Sequence, residues 1–170
     1  MCLERSIFEN FKFKIIIMKG FTLIELLVVI GIVVILMTAA LVAINPFRQF
    51  AQANNAARWS GVTTIMNAVY QRVVDDRGAW RITATCVELP TVATIMGSEA
   101  GQYNICNCFV TVPPGDITYL GTMPIDPQTG NYTDCTTHNT GYEILRDTTT
   151  GRITIRAPAA QLDETISISR

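Results

Sequence analysis

The stretch Gly20-Phe21-Thr22-Leu23-Ile24-Glu25 places one carboxylate near the beginning of an otherwise apolar run. The run continues to Ile44, and Glu25 is its only charged residue. A membrane-spanning helix needs about 20 consecutive apolar residues, so this run is long enough to cross a bilayer. A carboxylate at the bilayer centre costs about 2.5 kcal/mol or more, which makes Glu25 a candidate functional residue that requires a cationic partner.

Residues 19–30 resemble the class III signal of type IV pilins and type II secretion pseudopilins. Lys19-Gly20 precede the cleavage position, and it is followed by Phe21-Thr22-Leu23-Ile24-Glu25-Leu26-Leu27-Val28-Val29-Ile30. The resemblance implies that a prepilin peptidase cleaves after Gly20 and N-methylates Phe21. It also implies that Glu25 acts in assembly, paired with the Phe21 amine of a neighbouring subunit or of its own chain. The alternative is an uncleaved signal anchor that happens to contain a glutamate.

The resemblance divides the chain into three segments. Residues 1–20 are expected to be a leader removed by the peptidase, residues 21–44 a transmembrane and polymerisation helix, and residues 45–170 a pilin-like globular domain. Residues 1–17 fit no structural role, and Met18 is an alternative start of the chain. A secretory signal peptide would carry its apolar core before the cleavage site, whereas here the apolar run follows it.

Charge is unevenly distributed, although the net charge of the chain is only −1. Basic residues precede the apolar run at Arg5, Lys12, Lys14 and Lys19, which predicts a single span with its N-terminus inside and its C-terminus outside. The resemblance implies that the membrane is the inner (cytoplasmic) one. Beyond Lys19 there is no lysine, and acidic residues outnumber basic ones. This balance gives no support to nucleic-acid binding, which requires a basic patch.

The apolar run leads into a segment with helical periodicity. Apolar side chains recur at intervals of three and four, at Trp59, Val62, Met66, Val69 and Val73. We therefore expect one long helix from about Thr22 to Asp75, with a kink at Pro46, whose first half spans the membrane and whose second half is amphipathic. Trp59, Met66 and Val69 are expected in the core.

The C-terminal third is typical of a small antiparallel sheet. Residues 141–146 and 152–156 predict a hairpin around Asp147–Gly151, and residues 165–169 predict a short final strand. Between Thr83 and Pro124 the pattern is weak, with a short helix expected near Thr91–Met96 and a strand near Asn107–Val112. The predicted fold class is α+β, with a long N-terminal helix packed on this sheet.

A second resemblance lies at Met123-Pro124-Ile125-Asp126-Pro127-Gln128-Thr129-Gly130. It is similar to the Pro-x-Asp-Pro-x-Gly segment that precedes the final hairpin of major pseudopilins. The order Asp126-Pro127, Gly141-Tyr142, Ala157-Pro158 is also similar to the C-terminal part of pilin-like proteins. Gln128 departs from the pattern, because an aromatic residue is usual there, and the calcium loop of major pseudopilins is not recognisable. This match leaves a pilus and a secretion apparatus both open.

Five cysteines are present, and Cys2 lies in the leader. The other four, Cys86, Cys106, Cys108 and Cys135, predict up to two disulfides in an exported domain, with three possible connectivities. Free thiols are one alternative. A zinc site that includes His138 is another, but common zinc fingers have two residues between paired cysteines. His138 is the only histidine, and it is expected in an exposed loop.

Oxygen ligands for calcium are available at Asp126, Asn131, Asp134 and Asn139, but a polar turn has the same composition. Metal binding is therefore not predicted, and no cofactor is expected. With one histidine, no catalytic triad or Cys/His pair can be proposed, and the chain is predicted not to be an enzyme.

The sequence thus predicts a subunit of a type IV pilus-like filament, with a major-type pseudopilin of type II secretion as the alternative. The expected partners are other copies of the chain, the prepilin peptidase, an inner-membrane assembly platform, minor pilins and, before assembly, membrane lipid. The final location would be an extracellular or periplasmic filament. Two other classes stay open: a monomeric membrane-anchored binding domain and a thiol- or zinc-dependent membrane enzyme.

Overall fold

The structure is a computed structural model that describes residues 20–43, 45–110 and 117–170. The chain divides into two compact units, Met1–Asn45 and Pro46–Arg170, which are described separately below.

The described part of the first unit consists of helix α1, Leu23–Ala43. Its sequence is apolar on all sides, and the side chains of residues 23–41 are exposed. Leu23–Leu41 is long and apolar enough to cross a membrane. An exposed apolar surface of this kind is favoured when lipid or another protein surrounds it.

The second unit begins with helix α2, Pro46–Asp75. We predicted one continuous helix with a kink at Pro46, whereas the structure has two helices, and Ile44 between them lies outside the described residues. Proline has no backbone N–H and favours the first turn of a helix, while the residue before it is disfavoured in helical conformation. These two effects account for a helix that begins at Pro46.

One face of α2 is buried from Ala51 to Arg72. The buried positions recur at intervals of three and four: Ala51, Asn55, Arg58, Gly61, Val62, Ile65, Met66, Ala68, Val69 and Arg72. The core positions predicted at Met66 and Val69 are confirmed. The prediction for Trp59 is wrong, because its side chain is 37% exposed and its indole Nε1 donates a hydrogen bond to Glu164 at 2.7 Å.

Five antiparallel strands form one sheet: β1 (Thr94–Gly97), β2 (Asn131–Asp134), β3 (Thr137–Arg146), β4 (Ile153–Ala157) and β5 (Ile166–Ser169). The strand order is β1-β3-β4-β5, and β2 also pairs with β3. The predicted hairpin is confirmed as β3–β4, in which Leu145 lies opposite Thr154. The predicted final strand is confirmed as β5, so the α+β class holds.

The connector before the hairpin differs from the prediction. Thr91–Met96 was expected to be helical, but Thr94–Gly97 is strand β1, since its backbone pairs with β3. A strand was expected near residues 107–112, but Cys106–Phe109 is a short helix, α3, and residues 111–116 lie outside the described residues. In both places non-local contacts decide the conformation, and a weak local pattern does not report them.

Helix α2 packs against β4 and β5, and the core lies between the helix and the sheet. A close approach at Gly61 brings the helix near β3, because a Cβ atom there would lie 2.6 Å from Tyr142 Oη. Tyr142 is fully buried, and its hydroxyl donates to the carbonyl of Ile125 at 3.2 Å. The glycine therefore allows a large aromatic side chain to fill the space under the helix.

Candidate functional site

The predicted cleavage and assembly residues lie at the beginning of α1. Gly20 and Phe21 precede the helix and are exposed, and Phe21 keeps 77% of its accessible surface. Glu25 lies in the first turn, where its backbone N–H donates to Thr22 Oγ1 at 3.2 Å. Thr22 and Glu25 thus have the spacing of a capping box, and a carboxylate in the first turn also interacts favourably with the helix dipole. This local role of Glu25 was missed in the sequence analysis.

Glu25 is exposed on the described part of the first unit. Its neighbours along α1 are apolar and exposed as well, so its carboxylate is accessible to a partner outside the chain. In an apolar environment such a partner must be a cation or a set of hydrogen-bond donors, because an isolated buried carboxylate is strongly disfavoured.

A buried ion pair connects α2 to the segment of the second resemblance. Arg58 Nε donates to Asp126 Oδ2 at 2.6 Å, and neither side chain is exposed to solvent. Arg58 Nη2 donates to Asp126 Oδ1 at 3.3 Å and to Gln128 at 2.9 Å, while Nη1 donates to Asn55 at 3.0 Å. The guanidinium is therefore compensated by one carboxylate and two amide oxygens, as a buried charge requires.

The backbone around Asp126 fixes its carboxylate. Oδ1 accepts hydrogen bonds from the backbone amides of Gln128 and Thr129, both at 2.9 Å. Gly141, with a φ of 73°, packs directly on Asp126, since a Cβ atom there would lie 2.7 Å from Asp126 Cβ. Burial alone would raise the pKa of Asp126, but hydrogen bonds from Arg58 and from the two amides outweigh it and lower the pKa. Asp126 is thus held ionised, and its carboxylate connects Arg58 of α2 to the turn that contains Gln128 and Thr129.

A polar contact of α2 also holds the turn before β5. The side-chain amide nitrogen of Asn55 donates to the carbonyl of Gln161 and to the carboxylate of Glu164, both at 2.7 Å. Its side-chain oxygen accepts from the backbone N–H of Gln161 at 3.0 Å. Leu162 and Asp163 have positive φ values of 60° and 56°, so this turn is conformationally demanding. The hydrogen bonds of Asn55 therefore offset the conformational cost of this turn.

The four cysteines of the second unit form two disulfides, Cys86–Cys108 and Cys106–Cys135. The predicted disulfides are present, and one of three connectivities is now assigned. Both bridges meet at α3, and all four cysteines are buried. In the part of the chain that the structure describes, no three His, Cys, Asp or Glu side chains are grouped to hold a metal ion.

His138 lies in β3 and is 2% exposed, so the prediction of an exposed loop is wrong. Its ring packs edge-on against Tyr132, with centroids 6.1 Å apart. Within the described residues, neither ring nitrogen has a hydrogen-bond partner. Burial lowers the pKa of His138, only partly opposed by Asp134 and the backbone of Cys135. The imidazole is therefore held neutral.

Stability should consequently fall as the pH decreases below about 6.5, the ordinary pKa of histidine. The unfolded chain then binds a proton that the folded chain does not bind, and the slope from one such group approaches about 1.4 kcal/mol per pH unit. His138→Phe keeps an aromatic ring and removes the titration, so it should flatten this part of the profile. Urea unfolding of the detergent-solubilised chain at several pH values measures both slopes; parallel profiles for the two proteins would contradict the prediction.

The possible calcium ligands are engaged in other contacts where the structure describes them. Asp126 is paired with Arg58, and Asp134 Oδ1 accepts from Thr136 and from the Thr137 amide. Asn131 begins β2, opposite Asn139. These contacts are those of polar turns, so the structure adds no support to calcium binding, and metal binding is still not predicted.

Sequence reasoning did not identify Asn55, Arg58 and Arg72 as buried residues. A signal was present, because they share the three-and-four spacing of Val62, Ile65 and Val69. A polar residue that falls in register with an apolar stripe is a candidate for a buried, partnered group.

Residues 18–41 match the family model described as the prokaryotic N-terminal methylation motif. The matched region contains Gly20, Phe21 and Glu25 and most of α1. Comparison with curated proteins and with solved structures gave no match. The chain therefore carries this signature at its N-terminus, and the interpretation of the remaining residues depends on the structure itself.

Proposed function

From the premise that the chain bears the type IV pilin and pseudopilin signature, we propose that it is a structural subunit of a type IV pilus-like filament. In this proposal the prepilin peptidase cleaves after Gly20 and N-methylates Phe21. Before assembly the subunit remains in the inner membrane, with residues 45–170 on the side away from the cytoplasm. An assembly platform with minor pilins then adds it to the filament. The role is structural and needs no catalytic group.

The observation that carries the proposal is a single carboxylate on an exposed apolar helix. Residues 23–41 expose their side chains, and most of them are aliphatic. Helices of this kind can bury that surface in lipid or against one another. A charged group on such a surface is disfavoured unless it is paired, and the Phe21 amine created by cleavage supplies a cation four positions before Glu25 in the sequence. Pairing between subunits would also fix their axial register.

A major-type pseudopilin of type II secretion is the second candidate. It is favoured by the Met123–Gly130 segment, whose Asp126 is held by Arg58 at the centre of the domain. The N-terminal signature is common to both classes and does not distinguish them. A monomeric membrane-anchored binding domain would need neither a cleavage site nor Glu25.

The test compares cells that lack the chain with cells that are complemented by it. Loss and recovery of surface filaments in electron micrographs would support the pilus. Unchanged filaments with loss of a secreted protein from the medium would support the pseudopilus. If neither changes and the chain remains monomeric after crosslinking in membranes, both filament proposals are wrong.

Gly20→Val should prevent processing and leave an uncleaved precursor in the membrane. A Cβ atom at Gly20 meets nothing within 4 Å in the described structure, so the larger side chain should affect the peptidase and not the fold. Intact-mass measurement should find a chain that begins at N-methylated Phe21 in the parent and an unprocessed chain in the variant. Gly31→Val is the matched control, because its surroundings are equally open and it lies away from the cleaved bond. A normally processed Gly20→Val protein would contradict the assigned site.

A further inference from the structure

The two disulfides of the second unit interlace along the chain. The cysteines follow in the order Cys86, Cys106, Cys108, Cys135, and the bridges join the first to the third and the second to the fourth. Pairing each cysteine with its nearest successor would instead give Cys86–Cys106 and Cys108–Cys135. The native pairing is therefore not the one that sequential oxidation of an emerging chain produces.

Chain statistics do not favour the native pairing either. The native loops span 22 and 29 residues, and exchanging Cys106 with Cys108 shortens each by only two. Loop closure depends weakly on length, so the closure probability of each loop changes by less than about 20%. An unfolded chain should thus form the swapped bridges at least as often as the native ones.

The folded domain selects between the two pairings through α3. Cys106 and Cys108 are two positions apart in a helical turn, which separates their side chains by about 200° around the axis. Swapping partners would require α3 to rotate by about half a turn. Five contacts oppose this rotation. Arg72 Nη1 donates to the carbonyl of Cys108 at 2.8 Å, and Phe109 packs edge-on against Trp80 and Tyr119. Asn104 accepts from the Cys106 N–H through Oδ1 and donates to the carbonyl of Cys135 through Nδ2.

These selecting contacts exist only after α2 and the loops have packed together. Arg72 comes from α2, and all four cysteines are buried in the folded domain. Bridges that form during export precede this packing, because Cys86 and Cys106 are available before Cys135. Incorrect bridges must therefore be exchanged before the core closes over them.

We propose that maturation of this chain depends on a thiol–disulfide isomerase, a partner that presents a reduced dithiol in the compartment outside the inner membrane. The proposal rests on export of residues 45–170, which is part of the proposed function. An exported dithiol oxidase is the oxidant, and it accepts two electrons and two protons for each bridge formed. The isomerase changes no oxidation state and corrects only the pairing.

Three exchange reactions convert the swapped pairing into the native one. An isomerase thiolate attacks Cys106 Sγ of the Cys86–Cys106 bridge, forms a mixed disulfide and releases the Cys86 thiolate. Cys86 then attacks Cys108 Sγ, which forms the native Cys86–Cys108 bridge and releases the Cys135 thiolate. Cys135 attacks Cys106 Sγ in the mixed disulfide, which forms the native Cys106–Cys135 bridge and releases the isomerase thiolate.

The experiment follows the bridges of the full chain in cells with and without the isomerase. Membranes are trapped by acid at intervals after a labelling pulse, then partially reduced with a phosphine and alkylated. Fragmentation mass spectrometry identifies which two cysteines were opened together. Native bridges open as Cys86 with Cys108 or Cys106 with Cys135, whereas swapped bridges open as Cys86 with Cys106 or Cys108 with Cys135.

We expect native bridging to fall at least about threefold without the isomerase, with swapped bridges in its place. The double variant Cys106→Ser/Cys135→Ser, and likewise Cys86→Ser/Cys108→Ser, can form only one bridge, so its oxidation should be equal in both strains. Equal native bridging of the parent chain in both strains, or an equal loss in the double variants, would overturn the proposal. Filament imaging is a separate readout: isomerase-dependent bridging without filaments would leave this inference standing and contradict the proposed function.

Discussion

Replacing Asp126 with asparagine should lower the free energy of unfolding by about 3–5 kcal/mol, because it leaves the buried Arg58 guanidinium without its counter-ion. Both side chains of the pair have no exposed surface. Asparagine retains an oxygen at Oδ1 for the Gln128 and Thr129 amides, so the turn can keep its hydrogen bonds. The decrease in the free energy of unfolding therefore measures the effect of removing the negative charge, and not a loss of the hydrogen bonds in the turn.

The measurement is urea unfolding of the detergent-solubilised chain, followed by tryptophan fluorescence. Asp134→Asn is the matched control, since Asp134 caps a similar turn through its own Oδ1 but is exposed, and it should change the midpoint little. Replacing Arg58 as well, as Arg58→Met/Asp126→Asn, should restore much of the stability, because no unpaired charge remains and the asparagine oxygen still accepts from the Gln128 and Thr129 amides. Equal small losses for Asp126→Asn and Asp134→Asn would show that the buried pair is not the centre we describe.

The parts of the fold that sequence predicted correctly are those with strong local patterns. The apolar stretch of α1 and the alternation in Arg152–Arg156 each identify an element without reference to the rest of the chain. The connector was predicted poorly, because β1 exists through its pairing with β3 and α3 through two disulfides and Arg72. These contacts join residues that are distant in the sequence, so no local sequence pattern predicts them.

The buried polar residues show a different limit. Arginine is mostly exposed in proteins and histidine is intermediate in burial, so residue type alone does not place Arg58 and His138 in the core. Arg58 is buried because Asp126, 68 positions further along the chain, compensates its charge. His138 is buried although its ring nitrogens have no partner among the described residues. Pairings and desolvation costs of this kind become visible only once the three-dimensional neighbours are known.

Replacing Glu25 with alanine should abolish or strongly reduce filaments while the subunit accumulates normally in the membrane. Glu25 lies in α1, where residues 23–41 are exposed, so the second unit should fold without it. Removing the carboxylate also removes the cost of a charge in an apolar environment, which favours insertion. What is lost is the attraction between Glu25 and the Phe21 amine of a neighbouring subunit, together with a modest contribution to the first turn of α1.

Two further variants separate these contributions. Glu25→Gln keeps a side chain that suits the third position of a capping box and removes only the charge, so it should behave like Glu25→Ala if the ion pair governs assembly. Thr38→Ala removes another polar side chain of α1, one whose hydroxyl donates to the Ile35 carbonyl of the same helix, and it should assemble normally. Filaments are counted in electron micrographs at subunit levels matched by immunoblotting. Normal filament numbers with Glu25→Ala would show that the carboxylate is dispensable. A defect in Glu25→Ala with normal assembly of Glu25→Gln would assign its role to hydrogen bonding in the first turn and not to charge.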